Sequence, residues 1–231
     1  MIISKNPDIT LYNEDCLNIL KDIKDKSINL IACDPPYGVR DSAKAKEDGS
    51  SVWDDREHFL KTIDIWLNEC LRVSKTVIWF CAGKMLPYIL KGREDVFHRI
   101  LFWNKPDGSQ FAGAMHSNIW YSIEPILVFG EIPKTDKKKR YGFANFSYRT
   151  VPHKTFGHPT CKPLELMKDL VYFYSNEGDL VCDPFLGSGT TGVACKELNR
   201  NFLGIELDKT YFEIAVKRIK EAQVQTFNTL I

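Results

Sequence analysis

No stretch of this sequence reaches the roughly 18 consecutive apolar residues of a membrane-spanning helix, although 44% of its 231 residues are hydrophobic. An excess of charge is also lacking: 31 Lys and Arg stand against 30 Asp and Glu, a net charge of +1. That balance excludes a wholly basic coat but permits a local basic stripe. The seven cysteines are scattered without a C-x-x-C pair, and the five histidines show no paired spacing. Neither a metal site nor a disulfide framework is therefore expected. The cysteines read as reduced thiols, mostly in the core of a cytosolic protein. The start, Met1-Ile2-Ile3-Ser4-Lys5, lacks the charged-then-apolar layout of a secretory leader. The expectation is a soluble cytoplasmic protein with no membrane partner, long enough for one sizeable core.

What is present is alternation. Ile9-Tyr12 reads as a strand, Cys16-Ile23 as a short helix, and Ile28-Cys33 as a continuous apolar strand buried on both faces. Phe59, Ile63, Trp66, Leu67, Cys70 and Leu71 recur at helical spacing and lead into a strand at Thr76-Cys81. Further strands are predicted at His98-Trp103 and Pro125-Phe129. Regular order resumes with a helix at Leu164-Tyr174, a strand at Leu180-Cys182, a helix at Thr190-Leu198, a strand at Phe202-Ile205 and a helix at Tyr211-Ala222. Repeated strand–helix units imply an α/β domain with a mostly parallel sheet covered on both faces. Two segments break the pattern: a polar loop spanning 38–56, and a basic, aromatic insertion at about 130–156.

Two loops carry chemistry. Asp183-Pro184-Phe185-Leu186-Gly187-Ser188-Gly189-Thr190-Thr191 links a strand to a helix. Its glycines let the backbone approach a ligand and expose N–H groups at a helix start. Glu206, one strand later, is placed to accept hydrogen bonds from ribose hydroxyls. The loop has no G-K-[ST] lysine, so a Walker-type phosphate cradle is excluded. A nucleoside cofactor with an amino-acid tail fits better, its carboxylate taking the exposed N–H groups. The other loop is Asp34-Pro35-Pro36-Tyr37-Gly38. The prolines fix their φ angles and remove two donors. The turn therefore presents acceptors, the Asp34 carboxylate and nearby carbonyls, beside the flat face of Tyr37. A planar amino group on a ring suits that site.

Asp-Pro-Pro-Tyr followed by Asp-Pro-Phe-Leu-Gly-Ser-Gly resembles the S-adenosylmethionine-dependent amino-methyltransferases of DNA, in the order of their beta group. Asn13-Glu14-Asp15-Cys16-Leu17, His158-Pro159-Thr160-Cys161-Lys162-Pro163 and Ser122-Ile123-Glu124-Pro125-Ile126-Leu127-Val128-Phe129 are similar to further segments of that family. The resemblance covers nearly the whole chain apart from Asp41-Asp55 and Gly130-Thr155. It implies a Rossmann-like methyltransferase fold, with seven strands, one of them antiparallel, and the Asp34 and Asp183 loops opening into one cleft. Asp34, Pro35, Pro36 and Tyr37 would be catalytic. The cofactor set would be Asp15, Cys16, Asp34, Lys162, Asp183, Pro184, Phe185, Gly187, Ser188, Gly189, Thr190, Thr191, Glu206 and Leu207. Lys162 reads equally well as a solvated residue ahead of Pro163. Asp34 needs no unusual pKa, being ionised at neutral pH. An Asp at the first loop position goes with adenine, so N6 of a flipped adenine in double-stranded DNA is the expected target, with cytosine N4 or RNA as the alternative. DNA contacts are expected from Arg40, Lys44 and Lys46 and from Lys137, Lys138, Lys139 and Arg140, the latter group followed by Tyr141, Phe143 and Phe146. The resemblance also brings a homodimer and a restriction endonuclease partner into view.

Overall fold

The computed structural model describes residues 1–37, 56–107, 122–133, 144–152, 155–156 and 160–224. All seven DNA-contact candidates lie outside these residues, as do Tyr141, Phe143 and His158.

The strands are β1 (Ile2–Lys5), β2 (Asp8–Asn13), β3 (Ile28–Cys33), β4 (Ser74–Phe80), β5 (Phe97–Asn104), β6 (Ile123–Gly130), β7 (Asn145–Ser147), β8 (Leu180–Asp183) and β9 (Asn201–Glu206). They form one sheet in the order β1-β2-β9-β8-β3-β4-β6-β5-β7. The helices are α1 (Cys16–Leu20), α2 (Arg56–Val73), α3 (Leu86–Leu90), α4 (Leu164–Tyr174), α5 (Thr190–Glu197) and α6 (Lys209–Glu221). Among the described residues, no helix is long and apolar enough to cross a membrane.

The expected seven strands are the inner part of a nine-stranded sheet. From β2 to β5 only β6 runs against its neighbours. Two edge strands extend this core. β1 pairs antiparallel with β2, and β7 pairs parallel with β5. The second addition corrects the reading of the basic, aromatic insertion: Asn145–Ser147 belongs to the main sheet. Phe146, expected beside the DNA-contact group, is buried in the core.

Alternation along the strands splits the core between two faces. Leu30, Ala32, Ile78, Phe80, Ile126 and Val128 pack with residues of α4, α5 and α6. Ile31, Cys33, Val77, Trp79, Leu127 and Phe129 pack with residues of α1, α2 and α3. A sheet covered on both faces leaves its strand ends as the place for polar groups. All seven cysteines are buried free thiols, as expected for core residues.

Candidate active site

Four parallel neighbours, β2, β9, β8 and β3, end on the same edge of the sheet. Asn13, Glu206 and Asp183 close the first three of these strands, and Asp34 follows the last. Adjacent strands lie about 4.8 Å apart, so these groups form a row along one edge of the sheet, with the Asp34 and Asp183 strands as neighbours. The row sits where open α/β sheets bind ligands, beyond the carboxyl ends of their strands.

At the β3 end, Pro35 and Pro36 cannot donate to a neighbouring strand, and the ladder stops at Cys33. The turn brings Tyr37 back onto Asp34. The Tyr37 hydroxyl lies 2.5 Å from Asp34 Oδ1 and 2.6 Å from Glu124 Oε1. Lys162 Nζ donates to Asp34 Oδ2 at 2.5 Å and to the Tyr37 hydroxyl at 2.9 Å. It also lies 3.3 Å from Glu124 Oε1. Lys105 Nζ holds the other oxygen of Glu124 at 2.6 Å. Lys162 is thus buried, not solvated. Its ammonium lies 5.0 Å from the Phe80 ring centroid and 5.3 Å from that of Tyr37.

Glu124 and Lys105 were absent from the expected site. Glu124 reaches it because β6 runs antiparallel, which brings the start of β6 to the edge where β3, β4 and β5 end. The available signal was a charged residue heading an apolar run, Glu124-Pro125-Ile126-Leu127-Val128-Phe129. Such a residue, if buried, needs a partner.

The electrostatics also depart from expectation. Burial pushes the Asp34 carboxyl up; Lys162 opposes the rise and Glu124 adds to it. Burial works against the charge on Lys162 as well, yet Asp34 and Glu124 outweigh it and hold its ammonium above the usual lysine range. For Glu124 burial is again the largest influence, but Lys162 and Lys105 prevail and lower it. Lys162 faces two carboxylates, whereas Asp34 faces one cation and a second anion. That asymmetry explains why the cation is stabilised while Asp34 is not.

At the β8 end, Asp183 shapes its own loop. Its Oδ2 accepts from the Thr191 hydroxyl at 2.6 Å and its Oδ1 from the Phe185 amide at 3.0 Å. Burial raises its pKa to about 7. An unfolded Asp ionises near 3.8, so unfolding releases a proton between these values and the group's stabilising contribution is lost as pH rises through that interval. Asp183→Asn keeps an acceptor for Phe185 and a partner for Thr191. Its stability relative to the native chain is expected to improve from about pH 4 to about pH 7, checked by thermal melts across that range. A constant difference would contradict the buried-acid assignment.

Gly187 adopts φ +53° and Gly189 φ +81°. A Cβ at Gly189 would stand 2.8 Å from that of Ala215 on α6, so this glycine serves helix packing. Gly187 turns its amide to Glu206, donating to Oε2 at 2.7 Å. This amide was expected to await a cofactor carboxylate; instead it fixes the acid at the end of β9. Glu206 Oε1 accepts from the Asp208 amide at 2.8 Å. A carboxylate offers about four acceptor positions, so Glu206 retains capacity for hydroxyl donors. Leu207 beside it is an exposed apolar side chain. Asp15 caps α1, accepting from the Leu17 amide at 2.8 Å, and Cys16 is buried. The hydroxyls of Ser188 and Thr190 accept from Arg218 at 2.9 and 3.2 Å. Pro184 is buried, and Phe185 packs edge-on to Trp66 at 5.1 Å. Within the expected cofactor set, Glu206 and Leu207 therefore lie toward the β9 end, while Lys162 joins Asp34.

Comparison with known proteins identifies the family. The DNA methylase family model matches residues 28–217, which include both loops. The type II methyltransferase M.HpaI of Haemophilus parainfluenzae is 31% identical over 242 residues, covering 92% of this chain and 74% of its own. The solved M1.HpyAVI–SAM complex is 28% identical, with a TM-score of 0.66, and the match covers 91% of this chain and 98% of that one. PvuII DNA methyltransferase, described as cytosine-N4-specific, gives a TM-score of 0.70 over 96% of each chain at 15% identity, a likeness of fold alone. The chain belongs to the DNA methylase family.

Proposed function

We propose that this chain is a site-specific DNA methyltransferase acting on the exocyclic N6 amine of adenine, with S-adenosylmethionine as methyl donor. The observation that carries the reading is Asp34 in a proline-stiffened turn, beside Tyr37 and on the same sheet edge as Glu206. The donor set fits the cofactor. Glu206 has spare acceptor capacity for ribose hydroxyls, Leu207 offers an apolar surface to a ring, and Gly187 holds the acid in place.

When bound, S-adenosylmethionine supplies a methyl group already activated by its sulfonium. The chain's task is alignment and charge stabilisation. A base amine shares its lone pair with the ring. Asp34 and the Pro35 carbonyl accept its two N–H bonds, which localises that pair on nitrogen. Asp34 also faces the positive charge that grows there and takes the released proton. An amine inside a duplex is out of reach, so the base must leave the stack. The ring of Tyr37 offers it a surface, a contact worth roughly 1–3 kcal/mol. An Asp at the first loop position favours adenine within the resembling family.

DNA would be gripped by Lys137, Lys138, Lys139 and Arg140, aided by Arg40, Lys44 and Lys46. Each phosphate neutralised steepens the salt dependence of binding by about 0.9 in log–log slope. Replacing the four residues 137–140 by Ala is expected to weaken DNA binding and flatten that slope by roughly two or more. Unchanged affinity and slope would move the grip to the Arg40 loop. The reading also includes a homodimer and a restriction endonuclease partner, on the resemblance alone.

The function is tested by transfer of labelled methyl from S-adenosylmethionine to DNA, RNA and protein. Label is expected on double-stranded DNA. Label confined to RNA or protein would overturn the reading.

A further inference from the structure

We propose that Lys162 and Glu124 are positioning residues that fix the Asp34 carboxylate and the Tyr37 hydroxyl for an incoming base amine. The inference rests on the methyl-transfer reading and deepens it. It moves Lys162 away from the cofactor-binding set in which the resemblance had placed it.

The geometry is that of a clamp. Lys162 Nζ reaches Asp34 at 2.5 Å, the Tyr37 hydroxyl at 2.9 Å and Glu124 at 3.3 Å. Its three N–H donors match three acceptors, from the β3 turn and from the start of β6. Glu124 completes the clamp. One oxygen faces Tyr37 and Lys162, and the other is held by Lys105. Lys162, Glu124 and Lys105 are all buried. In such surroundings charge pairs are strong and unpaired charges costly. The aromatic rings of Phe80, Tyr37 and Trp103 all lie within 6 Å of the Lys162 ammonium. They leave the long lysine stem few alternative positions.

Asp34 Oδ2 is consequently tied to a cation and Oδ1 to a neutral hydroxyl. Each oxygen can accept a further bond. The clamp orients the carboxylate while leaving it able to receive an amine. It also sets its charge. The groups around Asp34 are Lys162 from the segment before α4, Tyr37 from its own turn and Glu124 from β6, with Lys105 behind Glu124. Asp183 on β8 and Cys81 after β4 lie farther off but within electrostatic reach. Lys162 favours the ionised form of Asp34 and Glu124 opposes it.

Lys162→Met and Glu124→Gln should therefore move Asp34 in opposite directions. Without the Lys162 charge, Asp34 takes up its proton at higher pH. Without the Glu124 charge, it does so at lower pH. The measurement is the carboxyl carbon shift of Asp34 in protein labelled with ¹³C-aspartate, free of cofactor and DNA, with the resonance assigned by its loss in Asp34→Asn. The acid limb of the kcat–pH profile should follow the same two directions. Misplacement by about 1 Å can cost about a hundredfold, so kcat of Lys162→Met at its best pH is expected to fall by about that factor. Its affinity for S-adenosylmethionine, from calorimetry, should stay within a few-fold. An unmoved Asp34 titration in both variants, or movement of both in the same direction, would overturn the proposal. So would a Lys162→Met defect confined to cofactor affinity. If Lys162→Met does not fold, Glu124→Gln alone decides by the direction of its shift. The carbon titration is independent of activity, so a chain inactive on DNA would sink the functional reading and still leave the clamp open to measurement.

Discussion

Asp34→Ala is expected to lower methyl transfer to DNA about a thousandfold or more, while affinity for S-adenosylmethionine stays within a few-fold. The size follows from two losses. A positioned acid–base group contributes typically 10²–10⁴, and in the proposed reaction the same carboxylate also faces the charge that grows on the amine. Cofactor affinity should survive because Glu206 and Gly187 make their bond two strands away, across β8 and β9. Stability should fall less than the roughly 3–5 kcal/mol typical of breaking a buried ion pair, since Lys162 keeps Glu124 at 3.3 Å and Asp34 is partly exposed. Asp34→Asn sharpens the test. It keeps the shape but places an NH₂ group where an acceptor is needed. Near-normal turnover by a folded Ala or Asn variant would remove Asp34 from the reaction.

Gly187→Val is the second large effect. Cofactor affinity is expected to fall at least tenfold, about 1.4 kcal/mol, as read by calorimetry. At φ +53° a β-branched residue is a steric outlier. The backbone must rotate, and its amide then leaves Glu206, whose Oε2 it holds at 2.7 Å. The proposed ribose acceptor loses its orientation together with the space beside the loop. Gly187→Ala, with one methyl group, is expected to fall between the native chain and Val. Unchanged affinity in both would reduce the loop to a simple turn.

Much of this arrangement was legible because local chemistry marks the boundaries. β3 ends where expected because prolines follow Asp34, and α4 starts where expected because Pro163 precedes Leu164. Elements without such signals were missed. β1 has four residues, and β7 has three with Phe146 alone buried. α3 has five residues, too few to show a period. The placement of Asp34, Tyr37 and Glu206 was readable because each sits at a strand end beside distinctive turn residues. Glu124 was not, and Lys162 was named for the cofactor without its contact to Asp34, since both meetings depend on neighbours far away in sequence. Glu124 meets Tyr37 across 87 positions and Lys162 meets Asp34 across 128. Those meetings depend on β6 entering the sheet antiparallel between β4 and β5. Strand–helix alternation alone carries no such information. The upward pull on Asp34 was missed for the same reason, because its partial burial and its neighbours Lys162 and Glu124 are properties of the assembled sheet.

The most direct test is the identity of the methylated nucleoside. Double-stranded DNA of mixed sequence is incubated with the protein and S-adenosylmethionine, digested to nucleosides and analysed by mass spectrometry. N6-methyldeoxyadenosine is expected with the native chain and lost with Asp34→Ala. N4-methyldeoxycytidine in its place, or no methylated nucleoside from a folded, cofactor-binding protein, would contradict the proposed reaction.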